Sequence, residues 1–335
     1  MSAKALLVRA TSTTLNATAY VAPGPTGRAV FHFFVRPLAR VRLKPAEEPL
    51  MATARVERIP LSGAGVGPGK ETVVYAWGDG ERPVLLIHGW TSRASRLHAL
   101  VEALLARGYS PVAFDTPGSG EAAGRSSNIL EYREIIRRLH TRHGDFEAVV
   151  AHSFGVAAAL FALRDGVRTK RLVGISGVGS FALLTASFRG MTGFGERALR
   201  VMRRHVERVL APEEPGVWGH FDASWRPEDL GAPLLLLHDE ADTLVPLAHA
   251  HAIRAAHGDR ARLVVTQGLG HARILTDPQI VAQVVEFVAA PVAAPVATPT
   301  EAPVKAPGGA PAPVGPGAAE AAEVLDAPRL AAGSR

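Results

Sequence analysis

Ala151-His152-Ser153-Phe154-Gly155 stands directly after the largely apolar run Phe146-Glu147-Ala148-Val149-Val150 and before Val156-Ala157-Ala158-Ala159-Leu160-Phe161-Ala162-Leu163. The first run reads as a buried strand and the last, rich in good helix formers, as a helix, so Ser153 falls on the turn between them. A serine mounted there needs a sharp backbone and small residues two positions before and after it, so that its hydroxyl stands clear of the sheet. The plainer alternative is a serine in an ordinary tight turn. What separates the two is whether the partners of a nucleophile recur at comparable places along the chain.

Working outward, short apolar runs recur at Val73–Trp77, Val84–Ile87, Pro111–Phe114, Ala148–Val150, Leu172–Ile175, Leu234–Leu237 and Leu263–Val265. Helical patterns separate most of them, over about 95–107, 128–142, 154–165, 246–257 and 277–289. Strand–helix alternation of this kind predicts an α/β fold with a mostly parallel, doubly wound sheet covered on both faces. Arg55–Leu61 adds an antiparallel edge strand. Residues 177–232 are too long for a simple crossover and predict a small helical lid. In it Phe181, Leu183, Leu184, Phe188, Met191 and Phe194 offer apolar surface, and Leu199, Met202, Val206 and Val209 recur at helical spacing with arginines between them.

Four of the predicted strands end in polar residues: His88-Gly89-Trp90 after Ile87, Asp115-Thr116-Pro117-Gly118-Ser119-Gly120 after Phe114, His238-Asp239-Glu240-Ala241-Asp242 after Leu237, and Gly268-Leu269-Gly270-His271 after Val265. Loops at the carboxyl ends of parallel strands converge, so these side chains are brought to one place. Together with Ser153, the chain order is serine, acid, histidine. On these landmarks the chain resembles the α/β-hydrolase superfamily of serine esterases, lipases and thioesterases over residues 55–290. The resemblance implies a catalytic triad of Ser153, Asp242 and His271. It also implies that the Trp90 N–H is one oxyanion donor. Ala151 stands where the superfamily most often has glycine, and it is small enough for the position.

The roles follow from chemistry as well. A serine hydroxyl is a poor nucleophile at neutral pH and needs an imidazole to take its proton. His271 lies between backbone-freeing glycines, and a carboxylate beside it would hold one tautomer and stabilise the imidazolium. Asp242 suits this better than Asp239, which lies close to the strand and is expected to brace the turn. The N–H of Phe154, at the start of its helix, is a donor for the tetrahedral oxyanion. His88, His152 and His238 read as packed, hydrogen-bonded side chains, and the Asp115 turn as structural.

Composition excludes several other classes. The 335 residues contain no cysteine, which removes disulfides, thiolate chemistry and Cys-containing zinc sites. Of the 13 histidines, none shows a His-x-x-x-His spacing with an adjacent Glu, and no Gly-Lys-Ser/Thr phosphate loop occurs, so neither metal nor cofactor is expected. The net charge of +6 arises within residues 1–60, where nine cations face three carboxylates. This basic N-terminal arm, residues 1–54, is predicted to be helical, with its apolar face packed on the main domain and its arginines solvated. The alternative is that Phe31, Phe33, Phe34 and Val35, beside Arg36, Arg40, Arg42 and Lys44, form a substrate lip or a peripheral membrane contact, the latter not favoured. Nothing suggests nucleic-acid binding. No membrane span or secretory signal is read, and a cytoplasmic location is expected. From Pro291 onward, prolines at 291, 295, 299, 303, 307 and 311 predict a disordered Ala/Pro-rich tail over 291–335.

The expected function is therefore hydrolysis of a carboxylic ester or thioester with an apolar portion, through an acyl-enzyme on Ser153. Acyl transfer or peroxide formation by the same triad, and a non-catalytic binding protein on the same fold, are the alternatives.

Overall fold

The computed structural model describes residues 3–36, 40–63, 65–210 and 217–291, so the tail beyond Pro291 lies outside the described residues. Among these, eight strands form one sheet: β1 (Arg55–Pro60), β2 (Glu71–Ala76), β3 (Pro83–Ile87), β4 (Ser110–Asp115), β5 (Ala148–His152), β6 (Leu172–Ile175), β7 (Leu234–Asp239) and β8 (Ala261–Thr266). Their order is β1-β2-β4-β3-β5-β6-β7-β8. Strand β2 runs against β1 and β4, and the remaining pairs are parallel. The predicted runs and the antiparallel edge strand coincide with these elements, except that β1 and β2 stop one residue short of Leu61 and Trp77.

The helices are α1 (Ala3–Val21), α2 (Pro23–Phe34), α3 (Glu48–Met51), α4 (His98–Leu105), α5 (Ile129–His143), α6 (Phe154–Arg164), α7 (Phe181–Thr192), α8 (Glu196–Leu210), α9 (Val217–His220), α10 (Ala248–His257), α11 (Gly270–Arg273) and α12 (Pro278–Ala289). Where the sequence predicts helix over 95–107, the chain opens with a 3₁₀ turn at Ala94–Leu97 before α4 begins. Strand side chains alternate between two cores. Val84 and Leu86 pack with Leu100 and Leu104 of α4 and Val284 and Val288 of α12. Leu85 and Ile87 pack with Ile135 and Leu139 of α5 and Ala158 and Ala162 of α6. Burial on both faces is why these strands read as continuous apolar runs. At the edge, β1 is almost wholly exposed and carries Arg55, Glu57 and Arg58, charges that discourage further strand pairing.

Local signals fix the helix ends. The Asn128 side chain accepts from the N–H groups of Leu130 and Glu131, while the Glu131 carboxylate accepts from the Asn128 N–H, a reciprocal cap for α5. The Asp277 side chain accepts from the N–H groups of Gln279 and Ile280 and caps α12, with Pro278 at the first helical position.

The strand order places the site. From β3 the chain goes to β4 on one side, then returns to β5 on the other side of β3. At such a reversal the loops leaving the two strands part, and a crevice opens at their carboxyl ends. Helices α7 to α9 occupy the segment between β6 and β7. They share a third apolar core with the N-terminal helices, in which Ala19 and Val30 meet Phe188, Phe194 and Met202. The apolar face of α1 and α2 thus meets the inserted helices, together with Leu130 of α5 and Phe161 of α6. No helix among the described residues is long and apolar enough to cross a membrane.

Candidate active site

Ser153 sits between β5 and α6 with φ 56° and ψ −123°, a left-handed conformation that a residue with a Cβ rarely adopts. The surroundings hold it there. Its N–H donates to the Ile175 carbonyl at 2.9 Å and its carbonyl accepts from the Val178 N–H at 3.2 Å. A Cβ on Gly155 would lie 2.8 Å from the carbonyl oxygens of Ile87 and His88, and one on Gly89 would lie 2.7 Å from Ser153 Cβ. The glycines therefore permit β3, its following loop and the turn at Ser153 to approach this closely.

His271 lies in α11, the short helix that follows β8, and its Nδ1 lies 2.7 Å from Asp242 Oδ2. A carboxylate only accepts, so Nδ1 carries the proton and Nε2 is left as the basic nitrogen. The other oxygen of Asp242 accepts from the Leu244 and Val245 N–H groups, each at 2.9 Å. Burial alone would raise this carboxyl's pKa, but the His271 hydrogen bond and these amides outweigh it and hold the pKa below its ordinary value. His238 Nε2 donates to the Val245 carbonyl at 2.8 Å and so fixes the same turn.

Asp239 has a different task. It is fully buried and accepts from the Ala241 and Leu269 N–H groups and the Thr266 hydroxyl, tying the β7 turn to the loop that carries His271. Burial opposes its ionisation, yet these donors, with the Gly270 N–H, draw its pKa down to about 2. Asp115 is likewise buried, spending its carboxylate on Ala94 N–H, Glu121 N–H and the Tyr75 hydroxyl.

The loop after β3 is held from behind. His88 Nδ1 donates to the Gly89 carbonyl at 2.7 Å, and the Tyr132 hydroxyl donates to the same oxygen at 3.4 Å. In a trans peptide the N–H points opposite the carbonyl, so the Trp90 N–H is aimed away from His88 and Tyr132. Neither Trp90 N–H nor Phe154 N–H donates to an acceptor among the described residues. The strain continues into Thr91, at φ 51°. Burial keeps His88 below its ordinary pKa and hence neutral.

Ser153, His271, Trp90 and Phe154 all line one cavity of about 810 Å³. Ser153 Oγ forms no hydrogen bond with His271 among the described residues, and bonds of this kind commonly close only in the substrate complex. Apart from Ser153, His249, His271 and a few polar neighbours, the wall is apolar, with Phe181, Leu184, Phe188, Trp218 and Phe221 from the insertion. Arg203 is the arginine of α8 that turns inward, to the Thr185 hydroxyl and over the Phe181 ring, without reaching the cavity; Arg200, Arg204 and Arg208 are exposed. Among the described residues no group of three or more His, Asp and Glu side chains could hold a metal ion.

Two features are only partly read from the sequence. The first is the N-terminal arm, whose Phe31, Phe33, Phe34 and Val35 line the same cavity as Ser153. Their packing on the insertion and their place in the cavity wall unite the two readings, packing and lip, that the sequence sets against each other. The second is His152, read only as a residue that satisfies buried backbone. It does so at a particular place: its Nε2 donates to the carbonyl of His271 at 3.0 Å, and the two rings lie 4.6 Å apart. Burial, then the nearby His271, depress its pKa to about 3, so it stays neutral. The residue before the serine thereby fastens the histidine loop to the serine turn.

A family model described as the alpha/beta hydrolase family matches residues 84–284. Among solved structures, the chain is similar to the esterase Pf2001 of Pyrococcus furiosus, with a TM-score of 0.55, 17% identity, and 76% of this chain and 95% of that chain covered. A second is a putative lipase from Acinetobacter baumannii, with a TM-score of 0.51, 16% identity and coverage of 75% and 98%. A monoacylglycerol lipase of Paleococcus ferrophilus aligns with a TM-score of 0.51, 21% identity and coverage of 65% and 98%. At these identities the likeness is one of fold. No sequence among the curated proteins matches the chain.

Proposed function

The chain belongs to the alpha/beta hydrolase family, and from that premise we propose that it is a serine hydrolase that cleaves carboxylic esters or thioesters with an apolar acyl portion. In this reading Ser153 is the nucleophile, His271 the general base and acid, Asp242 its orienting carboxylate, and the N–H groups of Trp90 and Phe154 the oxyanion donors. The observation that carries it is the 2.7 Å hydrogen bond from His271 to a buried Asp242, with the ring lining the cavity that also holds the strained Ser153.

The steps follow. Ser153 Oγ attacks the acyl carbon as His271 Nε2 takes its proton, and the carbonyl π electrons move to oxygen. The oxyanion is met by two amides with no protein acceptor to give up. Collapse breaks the bond to the alcohol or thiol, which leaves with the proton from His271, and the acyl group remains on Ser153. Water then adds with His271 again as base, and the second collapse releases the acid and restores the serine. Helices α7 to α9 serve as a lid that keeps bulk water from the acyl group.

The supporting experiment is a panel of p-nitrophenyl esters and acyl thioesters of increasing chain length, run on the wild type and on Ser153→Ala. The expected result is hydrolysis by the wild type and a fall of at least a thousandfold in kcat in the variant. Turnover that survives the substitution excludes the mechanism. The related lipases and esterases named above lend support, since their names describe ester cleavage on the same fold.

A further inference from the structure

We propose that the N-terminal helices α1 and α2, which lie outside the family match, are the acyl-selecting wall of the cavity, with Phe34 and Val8 setting the length of acid that is released fastest. The inference rests on the ester-hydrolase reading above. Helices before the first strand have no part in a triad or an oxyanion hole, yet Val8, Phe31, Phe33, Phe34 and Val35 line the cavity that holds Ser153. Arg9 and Arg36, both exposed, border it.

The arm is built as a fixed wall. Its second helix lies so close to α8 that a Cβ on Gly27 would run into the backbone carbonyl of Val201. Asn16 spans the turn between α7 and α8, donating to the Gly193 carbonyl at 3.0 Å and accepting from the Gly195 N–H at 2.7 Å. Arg197 Nε donates to the Ala19 carbonyl, and the Val35 carbonyl accepts from the Ser127 N–H. On the cavity side, Phe34 stands edge-on to Phe188 at 4.8 Å and to Phe181 at 6.2 Å, while Phe33 stands edge-on to Phe194 at 5.5 Å. Edge-on ring contacts of this kind hold side chains in one arrangement, which a length-selecting surface requires.

The volume names the substrate class. A water takes roughly 30 Å³ of liquid, so a cavity of about 810 Å³ is far larger than an acetyl group can fill. Apolar surface left unfilled offers binding to each further methylene, and one methylene taken from water is worth about fourfold in kcat/KM. Medium to long aliphatic or arylalkyl acids are therefore favoured over acetate, up to the length at which the chain meets the arm.

The test uses the full chain and p-nitrophenyl esters from acetate to hexadecanoate, with the wild type, Phe34→Ala, Val8→Trp and Ser153→Ala. Phe34→Ala makes the wall recede and moves the optimum to longer esters by two carbons or more. Val8→Trp, at a partly exposed cavity position, advances the wall and moves the optimum to shorter ones by as much. If either folded variant, Phe34→Ala or Val8→Trp, keeps its optimum less than two carbons from that of the wild type, or if the wild type is fastest on acetate, the proposal is overturned. Loss of stability alone lowers all rates together and leaves the optimum in place. Should Ser153→Ala hydrolyse as well as the wild type, it is the ester-hydrolase reading that fails, so the two failures are distinguishable.

Discussion

At the carboxyl end of the sheet, polar side chains are fixed by hydrogen bonds; in the helical cover, apolar side chains are fixed by one another. Asp242, Asp239, Asp115, His88 and His238 are each tied to named backbone groups, and the strained serine is pinned from both sides. The cover of α1, α2, α7 and α8 is held largely by rings and aliphatic chains, with Asn16 and Arg197 as polar fastenings. The difference matches the work expected of each. Proton transfer tolerates little displacement, and hydrogen bonds are directional; an acyl chain needs only volume and shape.

If the polar end is the catalytic part, breaking it must cost far more activity than disturbing the cover. The largest effect is expected from His271→Ala, a fall in kcat of about ten-thousandfold, with Asp242→Asn nearly as severe because the wrong tautomer is then held. Stopped assays on pure ester substrate measure both. Retention of more than a tenth of wild-type kcat in either variant would place the proton transfer elsewhere.

A smaller effect is expected at the residue before the serine. His152→Ala removes the donor to the His271 carbonyl and is expected to lower kcat roughly tenfold with little change in KM, since the imidazole is displaced and the acyl site is not. His152→Gln, which keeps a donor, should recover most of the loss. Equal loss in kcat and stability with no recovery would reduce His152 to packing. The smallest activity effect is expected in the cover, from Gly27→Leu. The added side chain forces α2 off α8 at a cost of about 1–3 kcal/mol, read as a lower Tm. A kcat loss exceeding that of His152→Ala would reverse the comparison.

How much of this is legible in the sequence depends on how far each signal reaches. The strands announce themselves because burial on both faces makes them continuously apolar, and the serine turn because small residues must flank it. Asp242 and Asp239 can be ranked by their distance from the strand end. The arm is not legible in the same way. Phe31, Phe33 and Phe34 are as compatible with packing as with a cavity wall, and only contact with residues more than 140 positions away decides. Gly27, which lets α2 approach α8, is present in the sequence, but the sequence does not name the helix it faces. His152 is hidden for the same reason: its acceptor is a backbone carbonyl 119 residues on.

Activation of one hydroxyl by an imidazole is the step on which the proposed chemistry depends. Labelling the native chain with a fluorophosphonate probe, followed by peptide mapping, tests it most directly. The prediction is a single adduct on the peptide that carries Ser153, formed at a rate that collapses in His271→Ala. An adduct on another residue, or equal labelling with and without His271, would contradict it.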